Sequence, residues 1–209
     1  MEQSKKEIRF FPFEVRAEEN EQNGKHITGQ PIVYNERTDL GWYDEIIDEG
    51  ALDNTDLKDV RLLVNHDTNM IPLARSRNNN TNSTMQLEIV PNAGLAMRAN
   101  LDTERNATAN ALYSAVERGD ISGMSFMFIV DKDSWEDVDT EHPTRHVRSI
   151  SKVFEVSAVT FPAYDATSIS ARGLSDALES AKESLESAKS ERREIERRKQ
   201  RIRILTEVL

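Results

Sequence analysis

The sequence has no cysteine among its 209 residues. That excludes disulfides, thiolate metal sites and a cysteine nucleophile. It also lacks any apolar run near the roughly 20 residues that cross a bilayer, and its start, MEQSKKEIRFF, has no signal-peptide core. A soluble, intracellular protein with no membrane partner is expected. There is no excess of positive charge: 27 Lys+Arg stand against 37 Asp+Glu, a formal net charge of −10, so a nucleic-acid partner is not expected. The four histidines, His26, His66, His142 and His146, do not fall at a metal-site spacing, and Pro143 breaks any helix that would align the last two. No metal and no cofactor are expected. There is no G-x-S-x-G motif and no βα alternation, which argues against a small esterase of the α/β-hydrolase type.

Through about residue 172, short apolar alternations are separated by turn-rich clusters such as RSRNNNTNS, PNAG and WEDVDTEHPT. This pattern predicts a mainly β domain. Strands are expected at 8–18, 26–35, 60–66, 84–91, 94–101, 124–132, 145–161 and 168–172. The segments around PNAG read as a hairpin. One helix is expected within 103–120, where Ala107, Ala111, Leu112, Ala115 and Val116 recur at helical spacing and Gly119 stops the run. After Gly173, glycine, proline and aromatics vanish. Leu174, Leu178, Ala181, Leu185, Ala188, Ile195 and Ile202 then follow an alternating three-and-four spacing that Arg192 and Lys199 interrupt, as in a long, polar helix with a weak coiled-coil seam. The chain divides on this basis into a β domain, 1–172, and a charged helical tail, 173–209. The tail from Leu174 carries nine Lys+Arg and eight Asp+Glu, so the rest has 18 against 29, net −11. Its basic run RRKQRIR (197–203) reads as a solvated helix face.

Three apolar strands each carry a polar residue that patterning does not require: His66 in LLVNHD, Ser125 in SGMSFMFIV and Glu155 in KVFEVSAVTF. Each has an ordinary explanation: a half-buried histidine, a serine bonded to backbone, a glutamate paired with Arg98 or Arg148. Together they are the base, nucleophile and orienting acid of an activated hydroxyl. All three are expected on strands, with Leu62, Val64 and His66 on one face and Leu63, Asn65 and Asp67 on the other. Ser122, beside Gly123, reads as a turn residue.

Six segments in register resemble the prohead proteases of tailed phages, serine peptidases whose fold is shared with the herpesvirus assemblins. They are GQPIVYN (29–35), YDEIIDEGAL (43–52), LLVNHD (62–67), PLARS (72–76), GDISGMSF (119–126) and FEVSAVTFPAYDAT (154–167), within a resemblance spanning residues 8–172. The resemblance implies an α+β, mainly β fold, an assemblin-like β-barrel followed by the long C-terminal helix. It matches His66 to the family's histidine, Ser125 to its nucleophile and Glu155 to its acid. The chain departs from the family pattern at Ala74 in PLARS and at Met127 after the serine; with Arg75, these are candidates for the oxyanion site and substrate cleft, although Arg75 has the ordinary reading of a solvated loop arginine. The implied function is a serine endopeptidase that cuts the scaffolding segment of the phage major capsid protein, and itself, inside the procapsid in the host cytoplasm. The implied partners are that capsid protein and further copies of the chain, in a homodimer or higher homo-oligomer. A non-enzymatic capsid assembly or scaffolding protein is the competing expectation, since a β domain with a coiled-coil tail suits it.

Overall fold

The computed structural model describes residues 6–11, 15–20, 24–160 and 171–207. Two sheets enclose the core. The larger has the order β1 (Glu7–Phe11), β10 (Gly123–Glu136), β11 (Thr144–Val159), β5 (Asp44–Ile47) and β4 (Arg37–Asp39), with β6 (Arg61–Val64) also pairing β11 and carrying β7 (Ala74–Arg75). The smaller runs β2 (Val15–Asn20), β3 (Gly24–Val33), β9 (Gly94–Asn100), β8 (Met85–Val90). The chain is mainly β with the long C-terminal helix expected from its sequence. The sheets do not close into a barrel, however, which corrects that part of the expectation. β11 has a different parallel partner at each end: Thr144–Val147 lies beside β5 and Glu155–Ala158 beside β6.

Most predicted elements are present. The hairpin is β8–β9, and helix α1 (Ala107–Glu117) follows an Asn106 N-cap whose side chain accepts from the Thr108 and Ala109 amides. It buries Ala109, Leu112, Tyr113 and Val116 against the core. The first predicted strand is two strands, β1 and β2, in different sheets, with 12–14 outside the described residues. The strand expected at 168–172 lies mostly outside them, and 171–172 begin helix α2 (Ala171–Glu207).

The alternation of β10 positions the site. Met124, Phe126 and Phe128 enter the main core with Val156 and Ala158 of β11. Ser125 and Met127 therefore face the other side of the sheet, with Glu155, Ser157 and Val159. There Ile8, Met127 and Val159 make a separate small apolar cluster.

The start of α2 is anchored to the body. Ala177, Ala181 and Leu185 are buried, Ser180 Oγ donates to Glu7 (3.1 Å), and Ser184 Oγ donates to Asp133 (2.8 Å) while accepting from Trp135 Nε1 (3.0 Å). Beneath it lies a buried ion network. Arg9 binds Glu45 and Glu7, and Arg145 binds Glu7 (2.8 Å), Glu45 (3.3 Å) and Asp133 (2.7 Å). Burial alone would raise the Glu7 pKa, but Arg9 and Arg145 outweigh it and hold the carboxyl below its ordinary value. Tyr43, buried beside the network, is pushed up to about 12, chiefly by desolvation.

Candidate active site

The histidine is not on a strand. β6 ends at Val64, and Asn65 and His66 both take left-handed backbone conformations, φ 50° and 58°. Asparagine and histidine enter this region more readily than most residues. The alternation expected through His66 therefore stops at Val64. The turn is pinned on both sides. Asn65 N–H donates to the Ala158 carbonyl (3.0 Å) and its side chain bonds Thr160, while Asp67 N–H returns to the Val64 carbonyl (3.1 Å). The result directs the imidazole back onto β11.

There His66 Nδ1 meets Glu155 Oε1 at 2.6 Å, with both side chains enclosed (6% and 3% exposed). Glu155 is thus partnered by histidine and not by Arg98 or Arg148, the ordinary alternative that the sequence left open. An ionised carboxylate only accepts, so Nδ1 carries the proton and the lone pair of a neutral imidazole lies at Nε2. That is the tautomer a general base needs. The other oxygen, Oε2, accepts from Ser157 Oγ at 2.6 Å, and the same Oγ accepts the His66 backbone N–H at 3.1 Å.

Ser125 lies directly opposite Ser157 across the β10–β11 ladder. Directly opposed residues share a sheet face with Cα atoms about 4.5–5.5 Å apart, so nucleophile candidate, serine and acid occupy neighbouring positions on one surface. The Ser125 side chain is wholly buried, and its hydroxyl donates to the Arg9 carbonyl of β1 at 2.5 Å. Ser122 is exposed, immediately before β10.

The residues assigned to the cleft are dispersed. Met127 is opposite Glu155, at the edge of the site. Ala74 is buried opposite Leu62. Arg75 is opposite Arg61, at the start of β6, roughly 10 Å along the strand from Val64, where the histidine turn begins. Its guanidinium binds Asp59 (2.6 and 3.0 Å), which lowers the Asp59 pKa. Sequence reasoning passed over Ser157 and the Arg9 carbonyl. A serine two positions from Glu155 on one strand must share its face, and that spacing was the available signal for Ser157. No sequence pattern marks which carbonyl Ser125 meets.

No curated protein and no solved structure matches the chain. The family model described as caudovirus prohead serine protease matches residues 11–183, a span that holds His66, Ser125, Glu155 and Ser157 together. This chain belongs to the caudovirus prohead serine proteases.

Proposed function

We propose that this protein is the endopeptidase that cuts the scaffolding region of its phage's major capsid protein, and its own chain, through Ser125, His66 and Glu155. Family membership gives the coarser statement, a serine peptidase of phage capsid maturation. The observation that carries the finer one is the His66 Nδ1–Glu155 Oε1 contact in a buried setting, on the sheet face that also bears Ser125. Two distant segments, a turn after β6 and the middle of β11, are brought to hydrogen-bond distance in the arrangement an orienting acid requires.

The chemistry runs as acyl transfer. The Ser125 hydroxyl turns from the Arg9 carbonyl and passes its proton to His66 Nε2 while Oγ attacks the scissile carbonyl carbon. Glu155 stabilises the imidazolium formed. The tetrahedral oxyanion collapses, the C–N bond breaks, and His66 returns the proton to the leaving amine. His66 then deprotonates a water that attacks the Ser125 ester, and returns that proton to Ser125 Oγ as the ester C–O bond breaks. Oxyanion donors are drawn from backbone N–H groups, since the Arg75 guanidinium is engaged by Asp59. The β body carries this chemistry and the tail, residues 173–209, handles packaging in the procapsid within the host cytoplasm.

The test is co-expression with the phage's major capsid protein and mass spectrometry of the products. Wild type and Ser122→Ala are expected to give the same discrete cuts, and Ser125→Ala none. Cleavage retained in Ser125→Ala but lost in Ser122→Ala would move the nucleophile. Co-assembly without cleavage in any sample would favour the scaffolding protein.

A further inference from the structure

We propose that Ser157 is a positioning residue, a single hydroxyl that locks both the orienting acid and the backbone that carries the base. The inference rests on the Ser125–His66–Glu155 reading above. Three hydrogen bonds form a closed ring: His66 Nδ1 to Glu155 Oε1, Ser157 Oγ–H to Glu155 Oε2, and His66 N–H to Ser157 Oγ. Ser157 is wholly buried, so water does not substitute for these contacts without opening the site.

Each bond has a separate effect. The terminal torsion of a glutamate is broad and nearly two-fold. A carboxylate held only at Oε1 could rock about that torsion, and the Ser157 bond to Oε2 removes the freedom. The His66 amide has a different need. The parallel pairing of β6 with β11 ends when Asn65 N–H reaches the Ala158 carbonyl, and His66 follows in a left-handed conformation outside the ladder. Its N–H finds its acceptor in Ser157 Oγ. A residue at positive φ is held there by its surroundings, and this bond ties the turn to the strand that carries Glu155.

Ser157 is thereby distinguished from Ser125. A nucleophile must deliver its proton to Nε2, whereas the Ser157 proton is given to the carboxylate. Its lone pair faces a backbone amide. Of the two serines opposed across β10 and β11, Ser157 is committed to the carboxylate and the histidine backbone, whereas Ser125 is held by the Arg9 carbonyl.

Two readouts test this. In cleavage of a peptide spanning a mapped cut site, Ser157→Ala is expected to lower kcat about 10- to 100-fold, by analogy with the partners that orient metal-ligating side chains, with KM within about two-fold. Ser157→Thr, which keeps the hydroxyl on a strand-compatible side chain, is expected to recover most of kcat. The second readout needs no turnover. In the full-length Ser125→Ala protein, which does not cut itself, the His66 Nδ1 proton shared with Glu155 is expected as a downfield 1H NMR resonance. Adding Ser157→Ala should shift that resonance upfield or broaden it while the thermal midpoint shows the chain still folded. An unmoved resonance with an unchanged kcat would overturn the proposal. If no variant or wild type cleaves, the protease reading fails, and the resonance alone still decides whether Ser157 positions the pair. If Ser157→Ala does not fold, the Thr variant decides: weak turnover despite a retained hydroxyl and a native thermal midpoint overturns the proposal.

Discussion

Residue chemistry sets what each member of the site can contribute. In the proposed mechanism Ser125 supplies the bond-forming atom, so Ser125→Ala is expected to lower cleavage at least 1,000-fold. Glu155 lies 2.6 Å from His66 Nδ1, and its proposed role is to fix that tautomer and stabilise the imidazolium without touching a reacting atom. Glu155→Gln keeps the shape and loses the charge. The expected loss of kcat is real but smaller than for Ser125→Ala, and full activity in a steady-state assay would remove Glu155 from the mechanism. These residue types were legible in the sequence because each interrupts an apolar stripe: His66 after LLV, Ser125 within MSFMF, Glu155 within VFEVSAV. Their partners were not. Arg98 and Arg148 were equal candidates for Glu155 on charge alone, and only the left-handed turn at Asn65–His66 brings the imidazole to it.

At the scale of elements, alternation was readable and closure was not. The period of two in MSFMFIV divides β10 into a core face with Met124, Phe126 and Phe128 and a site face with Ser125 and Met127. The hairpin was announced by PNAG, and its geometry explains the glycine. Gly94 sits at φ 128°, and a Cβ there would lie 2.1 Å from the Ile32 carbonyl oxygen. Backbone cannot yield as a flexible side chain can, so Gly94→Ala is expected to lower the thermal midpoint markedly, measured by calorimetry on the otherwise unchanged chain. The buried network of Glu7, Arg9, Glu45 and Arg145 was invisible, because Glu7 and Arg145 are 138 positions apart and meet only through β1–β10–β11 pairing. It has a pH signature. The Glu7 pKa is depressed in the folded state, so its stabilisation is present above the ordinary glutamate value of 4.5 and is lost as pH falls through the lower folded value. Unfolding followed from pH 7 to pH 2 should show stability falling below about 4.5, and Glu7→Gln should flatten that fall while costing about 3–5 kcal/mol at neutral pH.

For the molecule as a whole, the composition change at Gly173 marked the helical tail but not how it is held. Its first turns are part of the body, with Ala177, Ala181 and Leu185 buried and Ser180 and Ser184 reaching Glu7 and Asp133. Farther on, Ile195 and Ile202 are 46% and 64% exposed, and the basic run is solvated. Burying one leucine is worth roughly 1.5–3 kcal/mol. Truncation after Gly173 should therefore lower the thermal midpoint, whereas truncation after Glu191 should leave it nearly unchanged. Equal midpoints for the two truncations would show that the tail contributes nothing to the fold.

The most direct test of the central claim is covalent labelling of the full-length protein with a fluorophosphonate, located by fragment mass spectrometry. The account predicts one adduct, on Ser125, that disappears in His66→Ala. An adduct on Ser122 or Ser157, or labelling of Ser125 at the same rate without His66, would contradict it.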